Sequence, residues 1–381
     1  MHIVPFNSPY KSPNDLFYLT DQFHSNKFSG NGKYTQKCQS FFEEEYCFKK
    51  SFLTTSCTAA LEMTALLIDC KDGDEIIMPS YTFVSTALAF VREGAKIVFA
   101  DSYSDNPNLD LSKITSLINS NTKAIVVIHY AGMSVDMDEL LKITEDFNII
   151  LIEDAAQAIH SFYQNKPLGS FGHLATFSFH ETKNIHAGEG GMLIINDQKY
   201  CKRAEVLWEK GTNRMAFSRG EISKYEWIDK GSSFLPSEIT AAFLYSQLLD
   251  VKKVTTKRLI IWQHYHSSLL TLKNKGLIFF PNKNEVNQHN AHIFYIICNS
   301  KKVRNELINY LNNKGVQVVF HYQALHQSKF HLQANSYKPL PNAEKYSDCL
   351  LRLPLFYSLS INQQNYVITE IYNFFKVPST Y

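Results

Sequence analysis

The chain has 381 residues and a mass of 43.8 kDa, long enough for roughly two to three domains. Its 38 basic residues face 36 acidic ones, and the resulting charge of +2 offers no bulk attraction to nucleic acid or an anionic membrane. Apolar residues at 45% against charged ones at 19% exclude disorder as the dominant state.

The N-terminal stretch Met1–Tyr10 lacks the basic-then-apolar pattern of a secretory signal. No apolar run in the chain approaches the roughly 20 residues of a bilayer span. The seven cysteines are odd in number and never spaced as CxxC, so reduced thiols and a cytoplasmic location are expected. From residue 52 to about 200, short and almost continuously apolar runs alternate with segments of helical period. The runs are Glu75–Met78, Lys96–Ala100, Ala124–His129, Asn148–Glu153, Leu174–Phe179 and Met192–Ile195; Thr58–Ile68 and Met137–Phe147 are two of the helices. Strands buried on both faces have this appearance, and their alternation with helices predicts a mostly parallel sheet. Ser237–Lys273 carries no Pro or Gly and reads as one long helix or two abutting ones. A smaller α/β unit follows, with strands at His292–Cys298 and Val316–Phe320, a helix at Val303–Asn312 and a closing helix after Gln363. The predicted division is residues 1–250, a large α/β domain with an N-terminal arm, and residues 251–381, a helical spine with a small C-terminal α/β domain.

Open parallel sheets bind ligands at the carboxyl ends of their strands. There the sequence places Glu153-Asp-Ala-Ala-Gln157, His180-Glu-Thr-Lys183 and His129-Tyr-Ala-Gly132, and Thr54-Thr-Ser-Cys-Thr58 stands before the first long helix. Taken alone, Ser56 and Thr58 are ordinary N-caps, Asp154 a solvated strand end, Lys183 a surface lysine and Gly188-Glu-Gly-Gly191 a turn. Together they suit pyridoxal phosphate. That cofactor needs a lysine for covalent attachment, a carboxylate opposite its ring nitrogen and an anion site for its phosphate. The histidine pairs His264/His266 and His289/His292 have no acidic or Cys partner beside them, so no metal site is expected.

The segments Ser56-Cys-Thr-Ala-Ala-Leu61, Met78–Thr86, Glu153–Gln157, Phe177–Lys183 and Gly188–Gly191 resemble, in order and spacing, the DegT/DnrJ/EryC1/StrS sugar aminotransferases. The likeness runs on to Arg352-Leu-Pro-Leu-Phe-Tyr357. It implies the aspartate-aminotransferase (type I) fold of pyridoxal-phosphate-dependent transferases. It makes Lys183 the Schiff-base lysine and general acid/base, Asp154 the pyridinium partner and Gln157 a donor to the ring hydroxyl. Ser56, Cys57, Thr58 and Ser178 would hold the phosphate, and Phe83 would stack on the ring. Two positions depart from the family pattern. Ser233 stands where the family has an Asn that reaches the partner subunit's site, and Cys57 stands where Gly is usual.

Phe179-His-Glu-Thr-Lys-Asn184, Lys210-Gly-Thr-Asn-Arg214 and Val319-Phe-His-Tyr322 resemble the dTDP-4-amino-4,6-dideoxygalactose transaminases of enterobacterial common antigen synthesis. The resemblance implies a homodimer that moves the amine of glutamate to C4 of dTDP-4-keto-6-deoxyglucose. Candidate groups for the diphosphate-bearing substrate are Lys210, Arg214 and Arg219, with His321, Tyr322 and His326 in the small domain. A charge cluster in solvent is the plain alternative for the three cations, and a structural histidine that for His321 and His326. Other readings stay open at this point: an equatorial C4 amine, a C3 aminotransferase, or a cofactor-binding protein without turnover. A pyridoxamine-dependent dehydratase, whose relatives carry His at the lysine position, is disfavoured by Lys183.

Overall fold

A computed structural model describes residues 3–281 and 287–378. Its centre is a seven-stranded sheet of β1 (Lys50–Thr54), β2 (Glu75–Pro79), β3 (Lys96–Ala100), β4 (Thr122–Ile128), β5 (Ile150–Asp154), β6 (Leu174–Ser178) and β7 (Gly191–Ile195), in the order β1-β7-β6-β5-β4-β2-β3. The pairs from β3 through β6 are parallel, and β7 runs antiparallel to both β6 and β1. Each apolar run is a strand because helices cover both faces. Ile77, Ile125 and Val127 pack beneath the helices Lys33–Glu45, Met137–Asp146 and Glu238–Leu248. Ile76, Met78, Ala124 and Val126 point the other way, to Cys57–Leu67, Val84–Val91 and Cys201–Trp208. The chain therefore has the expected type I transferase architecture.

The apolar stretch after Ser237 forms two helices, Glu238–Leu248 and Val251–Asn274. At their junction Asp250 accepts hydrogen bonds from the Tyr10 hydroxyl at 2.9 Å and from Ser12 Oγ at 2.7 Å, so the break is where the N-terminal arm docks. Beyond it lies a four-stranded antiparallel sheet of β8 (Ile278–Phe279), β9 (Phe294–Cys298), β10 (Val319–Phe320) and β11 (Leu350–Leu353), ordered β8-β9-β11-β10. One expected strand of this sheet is shorter than expected, and another strand was not expected at all. The run from Val316 yields a strand only at Val319–Phe320, because Val316 bridges instead to Val4 of the arm. The strand β11 sits at the heart of the sheet, yet Arg352 interrupts its apolar run. No helix among the described residues is long and apolar enough to cross a membrane.

Candidate active site

The site is assembled where β4, β5 and β6 end. Asp154 closes β5 and is only 5% exposed. Its Oδ2 accepts from Thr86 Oγ1 at 2.7 Å and its Oδ1 from the Ala156 amide at 3.1 Å. Burial pushes its carboxyl above the ordinary range; the Thr86 and Ala156 donors and the Lys183 charge only partly oppose this. A buried carboxylate in that state is stabilised by any further cation or donor brought to it.

Lys183 stands on the loop that joins β6 to β7. That loop is stitched by Phe179 N–H to Gly190 O at 2.8 Å, Ala187 N–H to Phe179 O at 2.8 Å and Glu181 N–H to Gly188 O at 2.9 Å. The lysine is half-buried. Burial lowers the pKa of its ammonium, against the pull of Cys57 and Asp154, and so enlarges the neutral, nucleophilic fraction.

Across the sheet, Ser56 caps the helix Cys57–Leu67 by accepting from Ala59 N at 3.0 Å. Thr58 Oγ1 donates to Ser85 Oγ at 2.8 Å, and Cys57 Sγ lies 3.6 Å from Thr176 Oγ1. Gly191 is what permits this approach. A Cβ there would run into the backbone of Ser56 and Cys57, so only glycine lets β7 lie against the helix start. Ser178, at the end of β6, accepts from the His180 amide at 3.4 Å. Hydroxyls and a helix N-terminus thus form an anion cradle, with Lys183 and Asp154 electrostatically coupled nearby. This donor set fits pyridoxal phosphate: an amine, a buried carboxylate and hydroxyls at a helix N-terminus.

The remaining expected residues divide. Gln157 is buried; its Oε1 accepts from Ala131 N at 2.7 Å and its Nε2 donates to the Tyr322 hydroxyl at 2.9 Å. Tyr322 has a left-handed backbone (φ 53°), a sparsely populated state for a non-glycine residue. Its ring lies 6.2 Å from that of Phe83, which is 55% exposed. His321 is buried; its Nδ1 shares a hydrogen bond with the Tyr130 hydroxyl at 2.8 Å. Burial and the charges of Arg352 and Lys183 hold its pKa well below the usual histidine range. His326 is committed elsewhere: Nδ1 pairs with Ser80 Oγ at 2.6 Å and Nε2 with Glu344 at 3.1 Å.

In the 210–219 segment, which holds the short helix Arg214–Ser218, Arg214 is exposed and Lys210 is exposed 3.8 Å from Glu209. Arg219 is taken up by Glu205 at 2.9 Å and Glu221 at 2.6 Å. Ser233 is exposed beside its bridge to Glu209. The structure thus gathers Asp154, Lys183, Gln157, Ser178, Ser56, Cys57, Thr58, Phe83, His321 and Tyr322 around one strand edge, and ties His326 and Arg219 into pairs of their own.

Three further residues contribute. Thr86 anchors Asp154, Tyr130 anchors His321, and Arg352 faces the group from β11. All three lie inside segments singled out by sequence. Arg352 opens the segment Arg352–Tyr357 that carries the family likeness, and a lone charge within the apolar run of β11 marks it further.

The sequence matches the family "DegT/DnrJ/EryC1/StrS aminotransferase family" over residues 10–372. The chain belongs to that family. Its enzymatic class is accordingly that of an aminotransferase. The chain is 32% identical over 333 residues to the uncharacterized protein MJ1066 of Methanocaldococcus jannaschii, covering 85% of this chain and 86% of that one. It is 29% identical to the spore coat polysaccharide biosynthesis protein SpsC of Bacillus subtilis, over 97% of this chain and 96% of the relative. Among solved structures, the PLP form of the sugar aminotransferase Spr1654 from Streptococcus pneumoniae superimposes with a TM-score of 0.89 at 23% identity, over 100% of both chains. The same protein is known in a PMP form.

Proposed function

We propose that this aminotransferase uses pyridoxal phosphate to move the amine of L-glutamate onto C4 of dTDP-4-keto-6-deoxyglucose. The products are dTDP-4-amino-4,6-dideoxygalactose and 2-oxoglutarate, and the amino sugar serves cell-surface polysaccharide synthesis. The observation that supports the reading is buried Asp154, oriented by Thr86, electrostatically coupled to Lys183 on the loop from the adjacent strand, with hydroxyls at the helix start Ser56–Thr58. The names of SpsC and Spr1654 support a sugar substrate and a polysaccharide pathway.

When bound, pyridoxal phosphate supplies a carrier for the amino group and a sink for the electron pair left at a deprotonated carbon. The chain supplies the rest. Asp154 would hold a proton on the ring nitrogen, and Thr86 fixes the orientation of its carboxylate. Ser56, Thr58 and Ser178 would hold the phosphate. Lys183 Nζ, its affinity for protons lowered by burial, is suited to remove a proton from the donor's Cα and to return one to the sugar carbon. The exposed cations Lys210 and Arg214 suit a diphosphate that reaches toward solvent. A homodimer belongs to this reading, with the exposed Phe217, Tyr225, Trp227 and Ile228 as apolar surface for it.

The test is incubation of the purified protein with L-glutamate and either dTDP-4-keto-6-deoxyglucose or its 3-keto isomer, with the product assigned by NMR. An axial C4 amine is expected. A C3 or equatorial amine would overturn the substrate assignment, and absence of any amine transfer would overturn the activity.

A further inference from the structure

The loop that carries Lys183 is closed by backbone bonds at its base, while at its tip the Lys183 amide reaches only back to His180 O at 2.9 Å. Two buried side chains hold that tip from outside, one on each side of buried Ile185. Asn184 Nδ2 donates to Asn290 O at 2.8 Å and its Oδ1 meets His292 Nδ1 at 3.1 Å. His186, 6% exposed, has its Nε2 2.7 Å from the carbonyl of Tyr10, and its Nδ1 accepts from the Gly188 amide at 3.3 Å. A carbonyl only accepts, so Nε2 carries the proton and both ring nitrogens are used. The ring packs edge-on against Phe243 of the helix Glu238–Leu248 at 5.4 Å.

The partner of His186 lies on the N-terminal arm, which is itself fixed at both ends. Val4 N–H donates to Gly315 O at 3.1 Å, and Val4 O accepts from Gln317 N at 2.9 Å. The Phe6 amide donates to Gln317 Oε1 at 3.0 Å, and the Phe6 ring lies 4.7 Å from the Arg352 guanidinium. At the other end, the Tyr10 hydroxyl donates to Asp250 and its ring meets Tyr357 edge-on at 4.7 Å. Between these anchors, Asn7 Nδ2 donates to Glu181 O at 3.3 Å, a second bond to the lysine loop. Pro5, Pro9 and Pro13 restrict the freedom of the arm before it docks. We infer that His186 is a positioning residue for Lys183 and takes its place from the Tyr10 carbonyl, an assignment that rests on the aminotransferase reading above. Proton transfer by a lysine tolerates little misplacement, since an error of about 1 Å can cost about 10²-fold. The arm therefore sets the aim of an amine that it does not touch.

The test separates the two nitrogens of His186. H186Q places an amide N–H near the position of Nε2 and keeps the bond to the arm; H186N places an acceptor near Nδ1 and keeps only the bond from Gly188. Three measurements apply: hydrogen exchange of the 182–188 amides without cofactor, borohydride-trapped attachment of pyridoxal phosphate to Lys183, and single-turnover release of 2-oxoglutarate from L-glutamate. H186N is expected to exchange at least about tenfold faster. It should attach and turn over about tenfold to 10²-fold more slowly, with half-saturating glutamate within about threefold of wild type. H186Q should stay within about threefold of wild type throughout. Wild-type behaviour of H186N would overturn the inference, as would equal losses in both variants. A loss confined to H186Q would also overturn it, assigning the role to the Gly188 bond. Should H186N fail to fold, Y10F decides: without its hydroxyl on Asp250 the arm should loosen and slow attachment about threefold, and an unchanged rate counts against the assignment. A wild-type protein that attaches pyridoxal phosphate but releases no 2-oxoglutarate breaks the functional reading instead, while exchange and attachment still judge His186.

Discussion

Two carboxylates stand side by side at the end of β5, on opposite faces of the strand, and their surroundings differ completely. Glu153 is fully buried, and its oxygens meet four donors: His129 Nε2 at 2.8 Å and the amides of Gly169 at 2.7 Å, Phe171 at 2.7 Å and Gly172 at 2.6 Å. Asp154 is nearly as buried but meets only the Thr86 hydroxyl and one amide. A carboxylate offers about four lone-pair sites, so Glu153 is saturated by the fold while Asp154 has capacity left over. Burial alone therefore does not separate a structural acid from a functional one; the count of donors does. Glu153 locks the 169–172 turn, and Asp154 keeps acceptor capacity beyond Thr86 and the Ala156 amide.

The largest effect in this part of the molecule should come from removing the group that works with Asp154. Lys183→Ala should cut transamination by about 10⁴-fold or more, measured as single-turnover release of 2-oxoglutarate, with weak retention of pyridoxal phosphate through the cradle. Full activity would sink the assignment of Lys183. Asp154→Asn should lower kcat by about 10² to 10³-fold while the fold persists.

The same variant gives a pH readout. Burial raises the Asp154 carboxyl above its ordinary value of 3.8. Between that value and the folded one, the native state of the cofactor-free protein binds more protons than the unfolded chain. Stability must then fall as pH rises through that window. Melting curves from about pH 4 upward should show this slope in the cofactor-free wild type and a flatter one in D154N. Identical slopes would count against the raised carboxyl.

Glu153→Gln should act in the opposite way, on the fold and not on the chemistry. An amide NH₂ would confront backbone N–H donors, at a cost of about 3 kcal/mol in chemical denaturation. Whatever protein remains folded should turn over nearly normally. A stable but inactive E153Q would erase the distinction between the two acids. The smallest effect is expected for Thr86→Val, which takes one donor from Asp154 and should cost about threefold to tenfold in kcat; an unchanged rate would show that the Ala156 amide suffices to orient the carboxylate.

The large-domain half of the site was legible because its residues end strands whose apolar runs stand out, and position along a parallel sheet dictates where such ends gather. Asp154 and Lys183 follow from that rule alone, before any resemblance is invoked. The small-domain half was legible only through resemblance, which marked Tyr322 and the segment from Arg352 but not how they are placed. Tyr322 reaches Gln157 from a left-handed turn, Arg352 arrives on a four-residue strand that a charge interrupts, and Phe6 comes from an arm without periodicity. None of these has a local pattern, since each is placed by tertiary contact. His326 and Arg219 were reasonable candidates by residue type, but their partners Ser80, Glu344, Glu205 and Glu221 are visible only in three dimensions. The strand β1 escaped notice because five edge residues before a helix carry little signal of their own.

The close fit at Gly191 has a bearing on how the protein matures. The hairpin of β6 and β7 joins neighbours in sequence and can form early, taking Lys183 with it. The pairing of β1 with β7, which brings Ser56–Thr58 against Gly191, spans most of the large domain and closes a long loop, the slow kind of contact in folding. The lysine should therefore be in place before the cradle exists. Uptake of pyridoxal phosphate during refolding would then mark the moment when the two ends of the domain have found each other.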